Sequence, residues 1–157
     1  MNVNFSTQNI INSNYQIVFV TTGGGASALS NILTTPGASN IFLEAQIPYN
    51  KKTLTEYLNK NVENSCNAIT AVNLADIAFK RAINITNKKK LILGVSCTAA
   101  LKTLRKRKGK DRAHIAVHSH KCKFYKYISL NQQTRENQET ILSNSIIYYI
   151  NECINRL

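Results

Sequence analysis

The chain has 157 residues, 43% of them hydrophobic, which is enough for one domain with a sizeable core. It contains no 18-residue apolar run, so no membrane-spanning helix is expected. Its first 14 residues, rich in Asn, Ser and Thr, lack the basic start and apolar centre of a secretory signal, and a cytoplasmic protein is expected. The formal net charge of +12 directs attention to anionic partners.

Residues 1–13 read as a polar N-terminal arm ahead of a domain over residues 14–157. Residues 15–21 form a nearly continuous apolar run, as in a strand covered on both faces, and lead into Gly23-Gly24-Gly25. A short helix follows, with Ala26, Leu29, Ile32 and Leu33 at helical spacing and Pro36-Gly37 as its stop. Strand, Gly-rich turn and helix in that order admit two readings. One is a plain flexible turn; the other is a cradle in which backbone N–H groups at the helix start meet an anion such as phosphate. The triplet matches neither the dinucleotide fingerprint nor the phosphate-loop pattern.

Residues 42–45 suit a second strand that Pro48 ends or confines to an edge, and a short polar helix is expected over residues 53–58. Ala71, Leu74, Ala75, Ala78, Phe79, Ala82 and Ile83 form one face of a long helix, with Ser65 as candidate N-cap; its alanines allow close approach to a sheet. A buried strand over residues 91–96 should open into a small, polar loop over residues 97–100. Residues 114–118 and 124–130 read as an antiparallel hairpin turning at residues 119–122. A last helix from about Thr134 carries Leu142, Ile146, Tyr149, Ile150, Cys153 and Leu157 on one stripe. The order predicts a single-domain three-layer α/β/α sandwich with a mixed central sheet.

Thirteen of the twenty basic residues lie between Lys88 and Lys126, most densely at Lys102, Arg105, Lys106, Arg107, Lys108, Lys110 and Arg112. Twenty asparagines and heavy use of Ile and Lys fit AT-rich coding, which raises lysine without a partner. The dense run reads first as a solvated loop tip and next as a site for an anionic ligand. Third comes a nucleic-acid contact with Phe124, Tyr125 and Tyr127 behind it for stacking. The four cysteines are widely spaced and read as free thiols. Cys97 is a candidate nucleophile with His114 or His118 as its base, against the reading of a small buried side chain. His118, His120 and Cys122 alternate as metal ligands on one strand face would, against the reading of a solvated hairpin turn without a fourth ligand.

Three further stretches carry a resemblance: Thr21-Thr22-Gly23-Gly24-Gly25-Ala26, Pro36-Gly37-Ala38-Ser39-Asn40-Ile41-Phe42 and Ser96-Cys97-Thr98-Ala99-Ala100, with Tyr49 and Arg135. They resemble, over about residues 15–153, the C-terminal domain of the CinA family (competence/damage-inducible proteins) and its stand-alone relatives, the nicotinamide mononucleotide (NMN) deamidases. Members carry E-S-C-T-G-G at the first stretch, P-G-S-S-x-x-F at the second and S/T-G-I-A-G at the third. They also carry a tyrosine at the place of Tyr49 and an arginine ahead of the last helix.

The resemblance implies an amidohydrolase that converts the nicotinamide amide to carboxylate and ammonia, within NAD metabolism. Acyl transfer of this kind needs a nucleophile, proton transfer and donors for the oxyanion. Ser39 is then the nucleophile and Tyr49 moves a proton or orients the serine. Thr22, Gly23, Gly24, Gly25, Ser96 and Arg135 hold the nucleotide substrate, NMN or a relative. No metal or organic cofactor is implied, and a homo-oligomer, a dimer, is. Five residues beyond Tyr49, where the family carries a lysine, stands Leu54, which can neither accept nor deliver a proton. Lys51 and Lys52 are the nearest amines. The alternative is a catalytically inactive CinA-like module that binds a nucleotide or a partner.

Overall fold

The computed structural model describes residues 3–87, 91–131 and 134–157; Met1 and Asn2 of the expected arm and Lys88, Lys89 and Lys90 of the basic tally lie outside them. Five strands form one mixed sheet in the order β2-β1-β3-β4-β5: β1 (Gln16–Thr22), β2 (Phe42–Gln46), β3 (Ile92–Ala100), β4 (Arg112–His118) and β5 (Lys123–Ser129). β1 runs parallel to β2 and β3, and the hairpin strands β4 and β5 add antiparallel. Helices α1 (Val3–Asn12), α2 (Ala26–Leu33) and α5 (Arg135–Asn155) cover one face; α3 (Lys51–Leu58) and α4 (Ala68–Ile85) cover the other. The three-layer sandwich expected from the element order is the observed one.

The pleat sorts each strand between two cores. Ile17 and Phe19 point with Leu93, Val95 and Cys97 toward α2 and α5, whereas Val18 and Val20 point with Ile92 toward α3 and α4. This two-sided burial is why β1 reads as a continuous apolar run. On the second face α4 lies against β3 through its buried alanines. A Cβ built on Gly94 would stand 2.3 Å from the Phe79 backbone nitrogen, so the strand needs glycine where the helix crosses it.

Four expectations are corrected. The polar start folds into α1, because Ile10 and Ile11 give it an apolar edge that is buried in the first core. Residues 97–100 are strand rather than loop: Cys97 and Thr98 pair with Thr21 and Thr22 on one side, and Cys97 to Ala100 pair with β4 on the other. Asn67, not Ser65, caps α4, its side chain accepting from the Thr70 N–H at 2.8 Å. The short helix begins at Lys51 rather than residue 53, with Asn50 as N-cap accepting from the Lys52 N–H at 2.8 Å. Thr134 caps α5, accepting from the Asn137 N–H.

On the α4 face His118 is buried with Nδ1 2.7 Å from Asp76 Oδ1, and Lys123 Nζ reaches the same oxygen at 3.1 Å. Burial lowers the His118 pKa from its ordinary value, against the pull of Asp76. Partial burial of Asp76 acts to raise its pKa, but hydrogen bonding and charge from Lys123 and His118 outweigh it and leave the carboxyl below its usual range. Both signs agree. A histidine depressed in the folded state and a carboxylate depressed in the folded state each make the unfolded chain the better proton acceptor, so stability falls on acidification. The histidine share is lost first, as pH drops from 6.5 through the lower folded value, and the carboxylate share later, below the ordinary carboxylate range. Urea midpoints taken across pH 7 to 5 should decline, and His118→Gln should flatten that decline; equal slopes in both proteins would refute the assignment.

Candidate functional site

At the C-terminal ends of β1 and β3 the Gly loop, the segment after β2, the start of α5 and the β3–β4 loop enclose a two-lobed cleft. Thr21, Gly23, Gly24, Ala26, Ser27, Ile47, Tyr49, Leu101 and Arg135 line the first lobe, about 520 Å³, with Glu136, Glu139 and Thr140. The second lobe, about 700 Å³, lies between Tyr49, Lys102, Thr103, Leu104, Arg105, Thr134 and Arg135. Each volume falls within the range of about 300–1,000 Å³ usual for small-molecule sites. Tyr49 and Arg135 belong to both lobes and form the partition between them.

That partition is built from α5. Arg135 donates from Nη1 to the Lys102 carbonyl at 2.8 Å and from Nη2 to the Tyr49 hydroxyl at 3.3 Å. Gln138, fully buried one turn further on, accepts from the Lys102 N–H at 2.7 Å and donates to Asp111 Oδ2 and the Leu130 carbonyl, both at 2.8 Å. The first turn of α5 thus pins the start of the basic loop. Arg107 closes that loop by donating to the carbonyls of Ala100 and Leu101 and to Asp111. Arg112 is turned inward to the Cys66 carbonyl at 2.9 Å. Two cations of the dense run, Arg107 and Arg112, are therefore spent on backbone carbonyls, and Lys102, Arg105, Lys106, Lys108 and Lys110 remain exposed.

The Gly loop is shaped by its own neighbours. Gly23 has φ +80°, and a Cβ there would stand 1.9 Å from the Ala99 carbonyl oxygen. Gly25 begins α2 as an N-cap without a side chain, leaving helix N–H groups to be satisfied from elsewhere. Glu139 does so: the Gly25 N–H donates to Oε2 and the Ser27 N–H to Oε1, each at 2.8 Å, and the Ser143 hydroxyl approaches Oε1 at 3.5 Å. The carboxylate stands at the positive end of the α2 dipole, where the sequence suggests a phosphate. Thr21 closes the turn by donating to the Gly24 carbonyl.

Of the residues expected at the site, Gly23, Gly24, Tyr49 and Arg135 meet in the cleft, and Gly25 borders it at the head of α2. Thr22 is buried on the α4 side of β1. Ser96 is also buried on that side and donates to the Ala71 carbonyl at 2.6 Å. Ser39 lies exposed in a 3-10 turn (Ala38–Asn40), outside the lining of either lobe. Leu54, at the place of the family lysine, is 1% exposed in the core between α3 and the sheet. Lys51 and Lys52 are exposed on α3, and neither lines the cleft.

The cysteine nucleophile reading fails on topology. Cys97 is fully buried on the α5 face, where burial pushes its thiol pKa far up, while His114 and His118 occupy the opposite face of the sheet. His114 Nδ1 is instead 2.7 Å from the Tyr125 hydroxyl. The metal reading fails likewise: His118 meets Asp76, His120 packs edge-on against Phe79, and Cys122 Sγ lies 3.5 Å from Cys153 Sγ. Among the described residues no group of three or more His, Cys, Asp or Glu side chains converges on a point.

Glu139 and Gln138 are the site residues that motif reading passes over. A polar residue at position 138 on the stripe 138, 142, 146, 150 is a signal for the second. The i, i+4 series Arg135, Glu139, Ser143, which shares one helix face, is a signal for the first.

No family model matches the chain, and no curated protein matches it in sequence. Solved structures do. The competence/damage-inducible protein CihA from Agrobacterium tumefaciens superposes with a TM-score of 0.83 at 12% identity, over 99% of this chain and 96% of that one. A CinA superfamily protein from Klebsiella pneumoniae gives 0.78 at 6% identity over 100% of both chains. One from Escherichia coli gives 0.77 at 10% identity, over 95% of this chain and 88% of that one. The chain therefore has the CinA-like fold. No helix among its described residues is long and apolar enough to cross a membrane.

Proposed function

We propose that this chain is a CinA-like module that binds a nucleotide, NMN or a relative, without hydrolysing its amide. The observation that carries this reading is the separation of the expected nucleophile from the rest of the expected site. Tyr49, Arg135 and the Gly loop share one cleft, while Ser39 stands outside it and the position of the family lysine is a buried leucine. The cleft offers an aromatic face, apolar contact from Ile47 and Leu101, and a guanidinium for charge-assisted bonds. A serine hydroxyl without a base is a poor nucleophile, and among the described residues no amine lines either lobe except Lys102. A homodimer and a cytoplasmic location accompany this reading; light scattering checks the first.

Calorimetry should register NMN binding while an ammonia assay registers no turnover. Ser39→Ala should change neither result, since the side chain is exposed in its turn and costs little to truncate. NMN-dependent ammonia release that disappears in Ser39→Ala would replace this reading with the amidohydrolase one.

A further inference from the structure

Resting on that nucleotide-binding reading, we infer that the ligand phosphate seats in the second lobe, among Lys102, Arg105 and Arg135, and that Glu139 bars it from the glycine loop. A strand, Gly-rich turn and helix would ordinarily present free N–H groups to an anion. Here the Gly25 and Ser27 N–H groups at the α2 start already hold the two Glu139 carboxylate oxygens at 2.8 Å. A phosphate placed there would have to displace Glu139 and would lie close to its charge, with Glu136 also on the wall of that lobe. Like charges brought together in a partly enclosed site repel strongly.

The second lobe has the opposite character. Lys102, Arg105 and Arg135 line it, and no carboxylate of the described residues pairs with any of the three. Its floor is held in place: Gln138 fixes the Lys102 N–H, Arg135 fixes the Lys102 carbonyl, and the Thr103 hydroxyl donates to the Arg105 carbonyl. Tyr49 stands between the lobes, so a ring packed on it in the first lobe can carry its ribose past Arg135 and its phosphate into the second. Lys102 and Arg105 are thereby binding residues, and Glu139 is a positioning residue that sets ligand direction through the occupancy of the α2 terminus.

The test compares NMN with its dephosphorylated nucleoside, nicotinamide riboside. Wild-type protein should bind NMN more tightly, and the double variant Lys102→Ala/Arg105→Ala should lose roughly tenfold for NMN while leaving the nucleoside unchanged, as expected for lost charge-assisted contacts. Amide resonances that differ between the two complexes should belong to residues 102–105 and not to Gly25 or Ser27. In Glu139→Gln, inorganic phosphate should newly perturb the Gly25 and Ser27 amides, a response absent from wild type. Equal affinity for NMN and the nucleoside, or phosphate-dependent shifts at Gly25 and Ser27 of wild type, would overturn the placement and leave the nucleotide reading standing. Failure of both ligands to bind would remove the nucleotide reading and the placement together.

Discussion

Leu54→Lys, which restores the family residue, is expected to destabilise the protein by roughly 4 kcal/mol and to produce no ammonia from NMN. Leu54 is 1% exposed and shares a core with Val18, Val20, Leu58 and Leu74. An ammonium there loses its water to a core of apolar side chains. Folding would either carry that penalty or require the amine to lose its proton. Against a total stability of about 5–15 kcal/mol the loss is large enough to read as a clear shift in urea midpoint. The pH dependence identifies the cause. A lysine whose folded pKa is depressed leaves the unfolded chain with more bound protons, so the deficit should shrink as pH rises from neutral toward 10. Leu54→Met, which conserves volume and polarity, should cost less than about 1.5 kcal/mol. A Leu54→Lys protein as stable as wild type that released ammonia from NMN would show that this helix can turn the residue toward the cleft, and the module reading would fall.

Most of the fold is legible in the sequence because its strongest signals are local. Residues 15–21 and 91–96 are apolar on both strand faces, and the 3.6 periodicity from Ala71 to Ile83 marks α4 without help from its neighbours. What escapes is non-local. Ser96, Cys97, Thr98, Ala99 and Ala100 have the composition of a loop, and they are strand because β1 and β4 flank them on both sides. The α1 segment has Ile10 and Ile11 as its buried apolar anchor, and its place in the structure depends on the presence of α5. The site divides in the same way. Tyr49, Arg135 and the glycines carry recognisable spacing, but the contact that decides what the glycines do joins Gly25 to Glu139, 114 residues away. The direction of a strand residue decides the fate of Ser96 and Thr22: one register step separates Thr21, in the cleft, from Thr22, behind the sheet.

Gly23→Ala is expected to destabilise the ligand-free protein by about 3 kcal/mol, lowering Tm by roughly 10 °C for a chain of this size. Two costs add. With φ at +80° the residue sits where an L side chain is strained by about 1–2 kcal/mol. The new Cβ would also stand 1.9 Å from the Ala99 oxygen and 2.9 Å from its carbonyl carbon, both backbone atoms of a paired strand that cannot swing aside. The Gly loop must then lift from β3, pulling Gly25 away from Glu139 and uncapping α2. Gly109→Ala supplies the contrast: its nearest neighbour is the Arg112 guanidinium at 3.2 Å, the far end of a flexible side chain, so the change should stay within about 0.5 kcal/mol. The state in which Gly23→Ala is measured separates two reasons for the glycine. Loss of stability without ligand assigns the triplet to the approach of the turn to Ala99. A variant that melted like wild type but no longer bound NMN would instead return the glycines to the ligand, and with them the phosphate to the head of α2.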